Sequence, residues 1–327
     1  MLAVFVIGAG IGALIAAALH QASPTRLVVK QAMAGGSHAT TSTTAMQNPS
    51  RHAFVAPVSG SDQLPLFPGA RSSFASLASA LGGQVGIAVA PLGLGPVQTL
   101  GPLQSGHAWS TMKAPVLVTL LREYEAKDRP FPGRARANAT LALEQSDNAA
   151  AETLFAALQR TRGGLDGASA AVQQTLAHAG DETTTVNTLP NDQGFTTWGQ
   201  SVWSNTGEVT FYQALARGCL LSPRSTGYVL GLMGDVIPSQ RWGAGAVGYP
   251  SAVPLAFKAG WGPEAGGGYL VRQTAIVGSG DRGYVLSMLA LPAGGSFAEG
   301  VSLVTSLARW ARQHLDLGAH RPAVRCT

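Results

Sequence analysis

Ser110 and Lys113, in the stretch AWSTMKAPV, stand three residues apart where a long helical pattern begins, over TMKAPVLVTLLREYEAK. Residues at that spacing share a helix face, so the hydroxyl and the amine lie within reach of each other. A serine hydroxyl is a weak nucleophile at neutral pH. A neighbouring neutral amine can take its proton when burial or other cations lower the amine's pKa. The helix N-terminus adds N–H groups and positive potential where an oxyanion would form. Alone, the spacing says little: composition predicts about 0.3 chance copies of it. A capping serine beside a surface lysine explains it equally well.

Two further groups change that weight. Ser146, Asp147 and Asn148 form an SDN triplet inside the helical region ATLALEQSDNAAAETLFAAL. Composition predicts about 0.01 chance copies of that triplet, and its purely structural reading is a cap or turn. Lys258, in FKAGWGP, lies in a strand-like run and is followed by Ala259 and Gly260. Its structural reading is a lysine on an edge strand. The chain has four lysines (Lys30, Lys113, Lys127 and Lys258), and two of them fall in these groups.

The order SxxK, SDN, then Lys-x-Gly on a strand resembles the class A serine β-lactamases and the penicillin-binding D,D-peptidases. The resemblance spans roughly residues 70 to 317, and QRWGAG, KAGWGP and GYLVRQ resemble actinobacterial members in particular. It implies that Ser110 is the acylated nucleophile and Lys113 its proton acceptor. Ser146 would relay a proton to the leaving nitrogen. Asn148 would bond the substrate's side-chain amide and Lys113, and Lys258 would attract the substrate carboxylate. The oxyanion hole would be the backbone N–H groups of Ser110 and Trp261, with Gly260 allowing close approach to the strand.

Three departures bear on function. Ala259 stands where the family usually has Thr or Ser, so one substrate hydrogen bond is missing. The stretch between SxxK and SDN is shorter than usual, which trims the helical lobe. Class A enzymes use a Glu on a loop after SDN to activate the deacylating water. Glu182, in AGDETTTVN, falls near the expected distance, but no Pro follows it and Asn187 lies one place late. Without such a base, an acyl-enzyme formed with a β-lactam would persist.

The elements around these residues read as one large domain. SFASLASAL has helical spacing, and GQVGIAVAPLG and PVQTL read as a hairpin. A helical middle follows, broken at PFPGR and ending after TGYVLGLMGDV. Residues 183–206 are long and irregular. VPLAFKAGW, GYLVRQTAIVG and GYVLSMLALP read as three strands, and SFAEGVSLVTSLARWARQHL as a closing amphipathic helix. That order suggests an α+β fold of two lobes: an antiparallel sheet built from both chain ends, flanked by helices, with a helical insert lobe. The resemblance implies five strands. The serine hydrolase domain is assigned to 69–317, with a short tail at 318–327. Trp109, Trp203, Trp242 and Trp261 lie near the motifs in sequence, in the cleft or in the core.

Residues 1–22 begin with an apolar run from Met1 to Leu19, and 23–68 read as a Gly/Ser/Thr/Pro-rich linker. GAGIGA within the first run matches dinucleotide-loop spacing. A nucleotide fold would need an acidic residue ending its second strand, but Lys30 and Gln31 stand there. The run instead reads as a signal anchor or signal peptide, long enough to span a bilayer. No Lys or Arg precedes it, whereas Arg26 and Lys30 follow, the reverse of the usual orientation bias.

Hydrophobic residues make up 46% of the chain, so burial is not limiting. Net charge is +5, with scattered basic residues, which argues against a nucleic-acid partner. Cys219 and Cys326 lack zinc-site spacing; they could pair in an exported protein or remain unrelated thiols. No metal and no cofactor is expected. The expected function is an extracytoplasmic serine hydrolase, anchored to the membrane or secreted, acting on a β-lactam or a peptidoglycan-stem-peptide-like substrate. The alternative is an impaired penicillin-binding-like protein that binds cell-wall peptide without turnover.

Overall fold

A computed structural model describes residues 69–189, 194–264, 267–324 and 326. The apolar run 1–22 and the linker 23–68 lie outside the described residues. Among the described residues no helix is long and apolar enough to cross a membrane.

Helix α1 (Ala70–Ala80) leads into β1 (Gly83–Pro91) and the short β2 (Gln98–Leu100). Three long strands close the sheet: β5 (Leu255–Pro263), β6 (Tyr269–Ser279) and β7 (Arg282–Pro292). The spatial order is β2-β1-β7-β6-β5, antiparallel throughout, so the first strands pair with the last. Strand β5, which carries Lys258 and Gly260, is an edge strand.

Side chains alternate across the pleat, and both faces are covered. Ile87 and Val89 pack with α1 and the last helix, α8 (Phe297–His314). Ala88 and Ala90 face the opposite side and pack with α6 (Asn205–Ala216). Ser296 and Glu299 form a reciprocal capping box that starts α8 after the β7 turn.

The helical lobe consists of α2 (Lys113–Glu125), α3 (Gly133–Glu144), α4 (Asn148–Arg162), α5 (Leu165–His178) and α7 (Pro223–Gly234). Helix α2 runs through its centre, buried from Lys113 to Leu121. The single helical region read across ATLALEQSDNAAAETLFAAL is two helices. Ser146 takes a left-handed conformation, φ 59°, and the Asp147 side chain accepts the Ala150 N–H at 2.7 Å to start α4. The polar triplet breaks the helix because a side-chain cap competes with continuation. A two-stranded ribbon pairs β3 (Ser105–His107) with β4 (Val202–Ser204), the latter inside the stretch 183–206 read as irregular.

The expected tail is held to the body. Leu94 N–H bonds Pro322 O at 2.8 Å, and Cys326 is joined to Cys219, just beyond α6, with Cα atoms 5.1 Å apart.

Candidate active site

Ser110 sits in a 3-10 turn, Trp109–Met112, that runs directly into α2. The turn is fixed on several sides. Ala108 N–H bonds Ser201 O at 2.8 Å, Thr111 Oγ1 donates to Ala108 O at 2.7 Å, and Tyr212 OH donates to Thr111 O at 2.9 Å. Trp109 is held at φ 49°, a strained conformation for a bulky residue. Such strain persists only where surrounding structure over-determines it.

Strand β5 lies hard against this turn. A Cβ on Gly260 would fall 2.8 Å from Ala108 O and 2.9 Å from Ser110 N. One on Gly262 would strike the Trp109 ring at 2.5 Å. Glycine at both positions lets the strand edge pass within contact of the nucleophile's turn.

Two buried lysines converge on Ser146. Lys113 Nζ donates to the Ser146 carbonyl, to Asn148 Oδ1 at 2.8 Å and to Ser146 Oγ at 3.3 Å. Lys258 Nζ donates to the same Ser146 Oγ at 2.9 Å and to Ala259 O at 3.1 Å. The left-handed Ser146 presents its carbonyl and hydroxyl to both amines at once. Ser110 Oγ has no hydrogen-bond partner among the described residues.

Burial controls the charge of this cluster. It lowers the Lys113 ammonium to about 7, against the opposing pull of the Asp147 and Glu152 carboxylates. Burial first, and the Lys113 charge second, hold Lys258 well below the ordinary lysine range. An amine in that state accepts a proton at neutral pH.

A small cavity of about 80 Å³ opens at this point, lined by Trp109, Ser110, Ser146, Asn148, Phe195, Thr196 and Trp261. The structure thus brings together Ser110, Lys113, Ser146, Asn148, Lys258, Gly260 and Trp261, drawn from the α2 turn, the α3–α4 junction and β5. It does not bring Glu182 to them. Glu182 is exposed on the loop after α5 and does not line the cavity. Its neighbour Asp181 turns inward instead, where Oδ2 accepts Trp203 Nε1–H at 2.8 Å, leaving Glu182 on the outer side. Of the four tryptophans, Trp109 and Trp261 line the cavity, whereas Trp203 and Trp242 are core residues. A larger cavity, about 810 Å³, lies elsewhere beside α2 and α7 and contains none of these groups.

Two contributors escape a motif-based reading. Arg272, fully buried on β6, donates from Nη1 to Gly106 O, His107 O and Trp203 O at 3.0, 3.1 and 3.3 Å. Its Nη2 meets Glu208 Oε2 of α6 at 2.6 Å. It thereby ties the β3–β4 ribbon, which leads into the Ser110 turn, to the sheet. Its signal was an arginine inside the apolar strand run YLVRQTAIV. Glu152 lies one helical turn beyond Asn148, on the same face of α4, and its charge reaches Lys113. Burial against neighbouring protein raises its carboxyl, opposed by Trp198 and Lys113. The i,i+4 spacing from Asn148 was its sequence signal.

The fold has close counterparts. A β-lactamase from Burkholderia vietnamiensis superposes with a TM-score of 0.60 at 18% identity, covering 76% of this chain and 96% of its own. A class A β-lactamase from Mycobacterium abscessus gives 0.60 at 16%, covering 75% and 98%. A β-lactamase from Xanthomonas campestris gives 0.59 at 17%, covering 75% and 96%. Comparison with curated protein sequences gives no match. The profile of the β-lactamase enzyme family matches residues 134–315, taking in SDN and the Lys258 strand and starting after Ser110. The chain therefore belongs to the β-lactamase enzyme family, within the superfamily of serine β-lactamases and penicillin-binding proteins.

Proposed function

We propose that the protein is an extracytoplasmic serine hydrolase, acylated at Ser110 by a β-lactam or a D-Ala-D-Ala-like amide and then hydrolysed. One observation carries the reading: two buried lysines meet on Ser146 Oγ beside Ser110, at the wall of one cavity. Neutral Lys113 takes the Ser110 proton as Oγ attacks the carbonyl carbon. The oxyanion is met by the N–H groups of Ser110 and Trp261, brought close by Gly260. Ser146, bonded to both lysines, passes a proton to the leaving nitrogen. Asn148 binds the substrate's amide, and Lys258 draws in its carboxylate.

Residues 1–22 would direct or anchor the protein outside the cytoplasm. The Cys219–Cys326 bond supports that placement, because disulfides persist in oxidising compartments. Labelling with a fluorescent penicillin tests the reading. Wild type forms a covalent adduct and Ser110→Ala does not; absence of labelling across the pH range overturns it.

A second reading follows from Ala259 and from the position of Glu182: an impaired member that binds cell-wall peptide without turnover. Nitrocefin hydrolysis that is lost in Ser110→Ala excludes it.

A further inference from the structure

We propose that the groove between the end of α2, the α2–α3 loop and the start of α7 binds an anion carrying two or more phosphate groups. The groove has a volume of about 810 Å³ and shares no lining residue with the Ser110 cavity. That volume exceeds what a single phosphate needs and falls among small-molecule sites, which run to roughly 300–1,000 Å³. Ser110 lies at the other end of α2, and thirteen helical residues set the two sites about 20 Å apart. The proposal is therefore independent of acylation.

Three aromatic rings run in a row along the groove. Tyr124 and Phe131 meet edge to face at 5.4 Å, and Phe131 meets Tyr228 of α7 at 6.4 Å. The chain turns sharply after α2 to place them. Asp128 takes φ 49°, and the Arg129 N–H comes back to bond Tyr124 O at 2.9 Å.

Guanidiniums lie on this row. Arg129 sits 5.5 Å over the Tyr124 ring. Arg136 of α3 sits 5.0 Å over Tyr228 and 5.8 Å over Phe131, and its Nε donates to Phe131 O at 3.3 Å. Arg224 lines the groove from the first turn of α7. Stacking holds a guanidinium by its face, fixes its orientation and leaves N–H groups on its edge free to donate.

Charge and hydrogen-bonding capacity decide the ligand class. Among the described residues none of these three arginines makes an ion pair. Two carboxylates also line the groove. Glu125 is committed to α7, where its oxygens accept the Ser222 hydroxyl and, at 3.2 Å, the Ser222 N–H. That leaves three sets of guanidinium donors against the carboxylate of Asp128. Arg224 also stands at the positive end of α7, where a cation is unfavourable without a counter-anion. With arginines on the ring faces, the groove offers a ligand N–H edges, which match phosphate oxygens. The edges come from a loop and two helices, and tetrahedral phosphates present oxygens in several directions. A planar carboxylate pairs with one fork. A free oligophosphate and a phosphate polymer carry the same recognised groups.

Calorimetric titration of the full chain with inorganic triphosphate, and with a long polyphosphate chain, tests the site. Triphosphate should bind saturably with a Kd below about 1 mM at low salt, and more weakly as salt rises. Arg136→Ser should weaken binding about tenfold or more, the scale of lost charge-assisted hydrogen bonds. Arg309→Ser removes the same charge from an exposed position on α8 and should bind as wild type does. Ser110→Ala should also bind as wild type. Phenylglyoxal labelling of the wild type, mapped by peptide mass spectrometry, needs no variant. Triphosphate should protect Arg129, Arg136 and Arg224 but not Arg309. Binding of the long chain alone, lost in Arg136→Ser, supports the site and assigns it to a polymer. Equal losses in Arg136→Ser and Arg309→Ser would mean general attraction to a basic protein and overturn the proposal. So would unprotected groove arginines, or no binding of either probe.

Discussion

In the proposed acylation Lys113 takes the Ser110 proton, so its own proton is the measurable quantity. Only the neutral amine accepts from Ser110. Burial places its midpoint at about 7, so the neutral fraction grows as pH rises through that value. The acylation rate should climb about tenfold per pH unit below the midpoint and level off above it. Penicillin labelling rates between pH 5 and 9 check this, and a flat profile contradicts it. Asp147 and Glu152 both hold the Lys113 proton more firmly. Removing one carboxylate in Glu152→Gln should move the acidic limb to lower pH.

At the scale of elements, a turn, a helix junction and an edge strand deliver the groups to one place. The β3–β4 ribbon sets the path into the Ser110 turn, and Arg272 fixes the ribbon by three carbonyls. Arg272 and Glu208 are both fully buried. Removing one charge strands the other, which typically costs about 3–5 kcal/mol. Arg272→Met should therefore lower the unfolding free energy obtained from urea titration by that amount, and Arg272→Met combined with Glu208→Leu should recover much of it. Equal stability losses in the single and double variants would show that packing, not the stranded charge, dominates. The three long strands and most helices were legible as runs of apolar residues between Gly and Pro breaks. The β3–β4 ribbon was not, because three-residue strands carry no period and exist only through pairing across a long sequence separation.

At the scale of the molecule, the sheet pairs the first described strands with the last, and the disulfide adds a covalent closure. Cys219 and Cys326 are separated by 107 residues in sequence. A disulfide stabilises a fold by about 2–4 kcal/mol in typical cases, chiefly by restraining the unfolded chain. Thiol titration of the unfolded protein should find no free thiol before reduction and two after it. Reduction should lower the unfolding free energy by that amount, while penicillin labelling persists, because the bond lies outside the cleft. Free thiols in the purified protein would contradict the pairing.

Residue types in order along the chain were enough to select the family. Ser110, Lys113, the SDN triplet and Lys258 carry chemistry that few other arrangements need, and apolar spacing marked the strands that hold them. The rest depended on contacts between distant segments. Whether two cysteines meet is a matter of Cα separation, which sequence does not encode locally. Which way a loop carboxylate points is likewise decided by packing. The loop position favoured Glu182 by distance along the chain, but Asp181 turned inward and Glu182 outward. The lowered proton affinity of Lys113 also belongs to the folded state alone, because desolvation exists only once the helices and sheet close around the amine.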